Sequence, residues 1–173
     1  MRTFITVLVL IFSLQSWTKA NDIRDFQIEG MSIGDSLLDF YSKREINNFL
    51  NYDDLPSDMK FRIADYEKKI GSYDGLQFFY KPKDQKFKIY SVAGHVYCNS
   101  KNKCNKIFEQ IKSDMEKSLG GKNFKKDTYK HFDDKSGKSV ATIYYLDVDG
   151  GHIKIEYMDW SKKMKWSDNV NVT

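Results

Sequence analysis

The side chains best suited to acid–base chemistry in this chain are its three histidines, two of which stand beside acidic residues. One lies in the segment YKHFDDK, and another ends the segment LDVDGGH. A histidine with a carboxylate in reach can transfer protons or hold a metal ion. Acids in chain reversals are also common turn formers, so the spacing leaves both interpretations open. We predict no catalytic residue and keep four candidate surface residues: His131, His152, Asp147 and Asp149.

Motifs for particular reactions are missing or incomplete. DVDGGH begins like a calcium loop, but its glycines come too early and no bidentate glutamate follows at the required distance. No serine has the G-x-S-x-G context of a hydrolase nucleophile. The glycine pairs at 120–121 and 150–151 resemble turns rather than phosphate-binding loops. We expect neither a cofactor nor a metal ion, and we favour a non-enzymatic role while leaving catalysis open.

Cys98 and Cys104 are the only cysteines, separated by the loop NSKNK. In an oxidising compartment such a pair most simply forms a disulfide, which would pin a strand to the helix that follows. Redox pairs use C-x-x-C at a helix start, and a metal site would need two more ligands. We expect a structural disulfide, with the redox and metal interpretations as alternatives.

Aromatic residues make up 15% of the chain, which is typical of a strand-rich core and also of contact surfaces. Most of them are expected to fill the core. Two tryptophans near the end of the chain are further candidate surface residues: Trp160 and Trp166.

The first twenty residues have the layout of a cleaved secretory signal peptide. Arg2 supplies a positive start, residues 4–14 form an apolar run, and Ala20 precedes the expected cut. The run is too short to span a bilayer stably, although a retained anchor is the alternative. We expect a mature chain over 21–173, periplasmic or secreted, without an integral membrane segment.

The charge pattern argues against a nucleic-acid partner. The formal net charge of +4 falls to about +2 once Arg2 and Lys19 leave with the leader. Acids and bases are interspersed, whereas nucleic-acid binding requires a concentrated basic face. The expected partner is an envelope protein or a small ligand, and the oligomeric state is left open.

The first half of the mature chain predicts one helix and three strands. Ser32 with Asp35 three residues later is a capping pattern ahead of a helical period, which predicts a helix over about 33–49. Alternating and aromatic runs separated by turns then predict three strands: 60–67, 76–81 and 86–98.

The second half repeats this order. A helix is predicted over about 102–119, closed by the glycine pair. Three strands follow: 123–132, 139–148 and 152–160. The end of the chain, 161–173, is predicted to be a polar tail.

Together these elements predict an α+β fold in which two helices pack on an antiparallel sheet of about six strands, in αβββ-αβββ order. A single domain would span 21–173, with similar halves at about 28–97 and 98–160.

The stretch IEGMSIGDSLL resembles the start of BamE/SmpA-type and β-lactamase-inhibitor-protein-like domains. The matching positions are Gly30, Met31, Ser32, Leu37 and Leu38. The leader, the segment DIRDFQIEGMSIGDSLLDFYSKREI and the end YMDWSKKMKWSDNVNV are similar to a family of exported proteins of small-genome marine alphaproteobacteria. That family carries no assigned activity. The resemblance therefore implies an exported protein and adds no mechanism.

We expect an envelope binding or interaction module, because small exported α+β domains without a catalytic constellation usually bind something. The alternative is a small periplasmic hydrolase or a hydrolase inhibitor that uses an open sheet face or the DGG hairpin. A deep pocket holding His131 or His152 beside two carboxylates would favour an enzyme. A contiguous aromatic patch on the open face would favour binding.

Overall fold

The computed structural model describes residues 22–51 and 60–173, so the leader predicted for 1–20 lies outside the described residues. Eight strands form one antiparallel sheet, with the spatial order β1-β2-β3-β4-β8-β7-β6-β5. The fold is mixed α+β but dominated by this sheet, which has more strands than the six predicted. In chain order the strands are β1 Leu50–Asn51, β2 Arg62–Tyr66, β3 Gly75–Tyr80, β4 Ser91–Tyr97, β5 Lys125–Lys130, β6 Val140–Val148, β7 Gly151–Asp159 and β8 Asn169–Val172.

Two α-helices and two short 3-10 turns accompany the sheet: α1 Lys43–Asn47, α2 Lys101–Ser118, and the turns Ile23–Asp25 and Leu37–Asp39. Helix α2 confirms the prediction at 102–119. Its end is closed as predicted, since Gly121 N–H donates to Glu116 O at 2.7 Å and Gly120 N–H donates to Lys117 O at 3.2 Å.

The long first helix predicted over 33–49 is wrong. Gly34 N–H donates to Ile89 O, and Ile89 N–H donates to Asp35 O, each at 2.8 Å, so this stretch pairs with a distant extended segment. Asp35 accepts the Ser32 N–H at 2.8 Å and closes a turn rather than capping a helix. The pairing outweighs the local helical pattern, and only the five residues of α1 are α-helical.

The segment predicted as a polar tail contains β8, which lies between β4 and β7 and joins the two meanders. Each half therefore supplies four strands rather than three. Val170 and Val172 of β8 are fully buried, while Asn169 and Asn171 alternate with them on the other face. A strand of four residues thus forms the centre of the sheet.

One face of the sheet is packed and the other is open. Helix α2 covers β7 and β8, and its Phe108 also stacks on Tyr144 of the neighbouring β6, with ring centroids 4.8 Å apart. The segment before β1 covers the other half of the same sheet face, where the rings of Tyr41 and Phe49 each lie 6.1 Å from the ring of Phe78, measured between centroids.

The predicted disulfide between Cys98 and Cys104 is confirmed, with Cα atoms 5.5 Å apart. Cys98 directly follows β4, and Cys104 lies in the first turn of α2. The bridge therefore fixes the start of the helix to the end of a central strand.

Candidate functional site

A cleft of about 530 Å³ opens on the sheet face opposite α2. Six strands and their ends contribute its polar and aromatic lining, so the cleft belongs to the sheet and not to one loop. The lining side chains used below are Asp65, Glu67, Asp74, Gln77, His95, Tyr97, Tyr129, His131, Lys154, Glu156, Met158, Trp160, Asn169 and Asn171.

The register of the central strands makes the floor of the cleft polar. Asn171 of β8 lies opposite both His95 of β4 and Glu156 of β7. Side chains opposite one another share a face, so all three point into the cleft. His95 Nδ1 lies 2.7 Å from Asn171 Oδ1, and because an amide oxygen only accepts, the imidazole donates. The floor is thus hydrogen-bonded across strands.

Glu156 is the most constrained acid of the cleft and is only 9% exposed. Its Oε1 accepts the Tyr129 hydroxyl at 2.6 Å, and its Oε2 accepts the Lys154 ammonium at 3.3 Å. Desolvation and the hydrogen bond to Glu156 raise the pKa of Tyr129 to about 12, so the phenol stays a donor at neutral pH. Both carboxylate oxygens are therefore engaged within the protein.

Three acids gather at one end of the cleft, which we call the carboxylate end: Asp65, Glu67 and Asp74. Asp65 accepts Gln77 Nε2 at 2.9 Å, and Asp74 accepts the Tyr97 N–H at 2.9 Å. Burial and the negative charges of all three acids raise the pKa of Tyr97. Tyr97 therefore shares this end of the cleft with three carboxylates.

Aromatic rings form the other end of the cleft, which we call the aromatic end: Tyr129, His131 and Trp160. His131 contacts Trp160 with ring centroids 4.6 Å apart. Phe132 stacks on His131 at 5.0 Å, and Trp166 meets Trp160 edge-on at 4.6 Å. Phe132 is 79% exposed and Trp166 is 55% exposed, so these two rings extend the aromatic end to the surface.

A buried acid holds the loop that carries His131. Asp134 accepts the hydroxyls of Ser136 and Ser139 at 2.7 and 2.6 Å, together with both of their backbone N–H groups. Ser139 Oγ in turn accepts the Ser161 N–H at 2.9 Å. These hydrogen bonds, led by that of Ser139, hold the pKa of Asp134 well below its usual range. The aromatic end is therefore anchored from beneath.

The structure brings three of the six candidate surface residues together at the aromatic end: His131, Trp160 and Trp166. The other three lie elsewhere. Asp147 is exposed and pairs with Lys125 at 3.5 Å, and the backbone carbonyl of Asp149 accepts the Ile23 N–H at 2.9 Å in the hairpin turn. His152 is the second residue of β7 and lines a smaller cavity of about 260 Å³.

Several cleft residues were missed at the sequence level although their strands carried a signal. Along β7 the polar Lys154 and Glu156 alternate with the apolar Ile153 and Ile155, although Glu156 and the cleft residue Met158 are themselves buried. The letters NVNV of β8 alternate in the same way. Period-two alternation marks a strand with one covered and one open face. Asp65 and Glu67 lie in the run 60–67 that alternation predicted as a strand, but their proximity to Asp74 and Tyr97 arises only from the pairing of β2, β3 and β4.

Across residues 22–51 and 60–173, no group of three or more histidine, cysteine, aspartate or glutamate side chains is placed to hold a metal ion. In the same part of the chain no helix has both the length and the apolar character that a membrane crossing requires. Comparison of the chain with protein-family models, with curated proteins and with solved structures finds no match.

Proposed function

We propose that this protein is an exported binding protein that holds a ligand of small-molecule size in the cleft on the open face of its sheet. One observation carries the proposal. Among the described residues, four of the six exposed large hydrophobic side chains border this cleft: Tyr97 and Tyr129 line it, and Phe132 and Trp166 contact its lining.

Exposed aromatic rings concentrated at one cleft are unusual for a surface without a binding role. Contact of large apolar groups with water is unfavourable, and a bound ligand would remove these rings from water. The volume falls within the range of about 300–1,000 Å³ that ligand pockets occupy. The floor is already hydrogen-bonded, so a ligand would meet fixed groups and little side-chain freedom would be lost on binding.

Glu156 and His131 Nδ1 are engaged in hydrogen bonds, which favours binding over a hydrolysis that uses either of them as its general base. A general base needs a free oxygen or nitrogen near the proton it removes. Tyr129 and Lys154 engage the two oxygens of Glu156, and the Asp133 N–H donates to His131 Nδ1 at 3.4 Å. These groups are therefore arranged to hold shape and to present hydrogen bonds.

The disulfide between Cys98 and Cys104 supports export, because such bonds persist in oxidising compartments. Kinship with the exported alphaproteobacterial family named above is part of the same proposal.

A fragment screen by saturation-transfer NMR tests the proposal, with a library of cationic, anionic, sugar-like and neutral aromatic fragments. Replacing Phe132 and Trp166 by serine should abolish or weaken the transfer to bound fragments. Phe40→Ser is the matched control, since Phe40 is an exposed aromatic outside the cleft lining. Equal transfer in the double variant and the control would overturn the proposal, as would no bound fragment at all.

A further inference from the structure

The two ends of the cleft differ in chemistry, and this difference specifies the ligand. The lining contains four acidic residues and one lysine, although the whole chain has a formal net charge of +4. The lysine, Lys154, is 3.3 Å from Glu156 and so is matched by one of those acids. The remaining three acids all lie at the carboxylate end.

The carboxylate end offers more than negative charge. The exposed Tyr97 lines the cleft together with its three acids, and a cation near the face of a phenol ring is attracted by the ring as well as by the carboxylates. In the part of the chain that the structure describes, neither Glu67 nor Asp74 forms an ion pair. An incoming cation would therefore meet, at Glu67 and Asp74, two carboxylates that no lysine or arginine among the described residues pairs with.

The distance between the two ends fits a compact ligand. Tyr97 lies on β4, and Trp160 follows directly after β7, with β8 alone between these strands. Neighbouring strands are about 4.8 Å apart, so the strands of Tyr97 and Trp160 are separated by about 10 Å. Of the three acids, Asp74 reaches β4 by accepting the Tyr97 N–H, whereas Asp65 lies on β2, two strands further out. A ligand about 10 Å long could place a charged group beside Tyr97 and Asp74 and an apolar or aromatic body against Trp160.

We propose that the cleft binds an organic cation, with an ammonium or guanidinium group at the carboxylate end and an apolar or aromatic body against His131 and Trp160. This inference rests on the proposed function and names the ligand class of the same cleft. It does not rest on the acids alone, since the cavity, the Tyr97 ring and the aromatic end each constrain the ligand separately. The cation can be a free amine or a lysine or arginine side chain beside an apolar residue in a peptide.

Isothermal titration calorimetry with two matched probes tests the inference. Tryptamine and tryptophol share the indole ring and differ in carrying an ammonium or a hydroxyl group. Tryptamine should bind about tenfold more tightly, because only its charged group gains from the carboxylates and the Tyr97 ring. Raising the salt concentration should narrow this difference. Equal affinity of the two probes would overturn the inference.

Glu67→Gln is the informative variant, since Glu67 is exposed and its loss leaves the strand pairing intact. It should weaken tryptamine binding about fivefold and leave tryptophol unchanged. Asp39→Asn, which removes an exposed acid outside the cleft lining, should change neither affinity. Equal effects of the two variants on tryptamine would contradict a local role for the carboxylate end.

Two further comparisons distinguish a free amine from a peptide side chain as the ligand, and a failure of the ligand class from a failure of the binding function. Acetyl-Trp-Lys-amide binding more tightly than tryptamine would indicate a peptide ligand, and the reverse would indicate a free amine. If neutral or anionic fragments bind in the cleft and tryptamine does not, the ligand class is wrong and the binding function stands. If nothing binds in the cleft, both are wrong.

Discussion

Substitution of the buried valines of β8 gives the sharpest test of how the cleft is built. Val170 and Val172 are fully buried, and Val172 lies opposite both Gly94 and Ile155. Valine to alanine removes two methyl groups, at about 0.8 kcal/mol each in transfer free energy. The cavity left behind adds about 1 kcal/mol if the neighbours do not close it. Each variant should therefore lower the free energy of unfolding by about 2–3 kcal/mol.

Urea denaturation monitored by tryptophan fluorescence measures this change, with one m-value (the dependence of the free energy of unfolding on urea concentration) used for all variants. Small domains have a total stability of about 5–15 kcal/mol, so the double variant should approach the unfolding threshold. Asn169→Ala is the control, because Asn169 lies in the same strand on the open face and should change stability by less than about 0.5 kcal/mol. If both valine variants also stay within about 0.5 kcal/mol of the parent, β8 does not form the packed centre of the sheet, and the floor of the cleft is wrongly assigned.

Three other predictions concern the bridge and two titrating groups. Replacing Cys98 and Cys104 by serine should lower the free energy of unfolding by about 2 kcal/mol, the value that the chain-entropy model gives for so small a loop, as measured by urea denaturation. Thiol titration of the unreduced, denatured protein should find no free thiol, and two free thiols would refute the bridge. Tyr129 has a folded-state pKa of about 12, above its usual value near 10, so its contribution to stability is complete below pH 10 and is lost as pH rises toward 12. Tyr129→Phe should remove this part of the alkaline loss in urea midpoints between pH 9 and 11, and an unchanged pH profile would count against the hydrogen bond from Tyr129 to Glu156. Asp134 has a lowered pKa in the folded state, so its contribution to stability is complete above about pH 4 and is lost as the pH falls through the folded-state pKa. Asp134→Ala should be less stable than the parent at pH 6 and closer to it in stability at pH 3. A difference in the free energy of unfolding that stays the same at both pH values would argue against the assigned hydrogen bonds.

Elements with a strong local pattern could be predicted from the sequence. Helix α2 shows helical spacing of apolar residues and a closing glycine pair, and it agrees with the prediction within one residue at each end. Strands β6 and β7 carry alternating residues and a two-residue Asp149-Gly150 turn, in which Gly150 has a φ of 82°. In these elements the local preference and the tertiary packing agree.

Elements that depend on distant partners could not be predicted in the same way. The segment at 33–49 has helical spacing, but the N–H groups of Gly34 and Leu37 donate to the carbonyls of Ile89 and Phe87, so its first part cannot form a continuous α-helix. Strand β8 is four residues long inside a polar segment, and its burial is apparent only once β4 and β7 lie on either side. In both cases hydrogen bonds to residues that are distant in the sequence decide the local structure.

The candidate site was predicted only at its aromatic end. His131 and Trp160 were singled out by residue type, yet their proximity arises because β5 and the end of β7 converge at one side of the sheet. Predicting the residues of the cleft floor would have required the register of β4, β8 and β7, which no spacing in the sequence indicates. Glu156, its most buried acid, was therefore overlooked.

The most direct test of the central claim is the map of backbone amide shifts in ¹⁵N-labelled protein as a bound fragment is added. Our account predicts that the largest shifts fall on the open-face positions of β4, β7 and β8, with His95, Glu156 and Asn171 among them, and that the helix α2 amides stay in place. Shifts concentrated on α2 or at the smaller cavity beside His152, with the central strands unchanged, would contradict it.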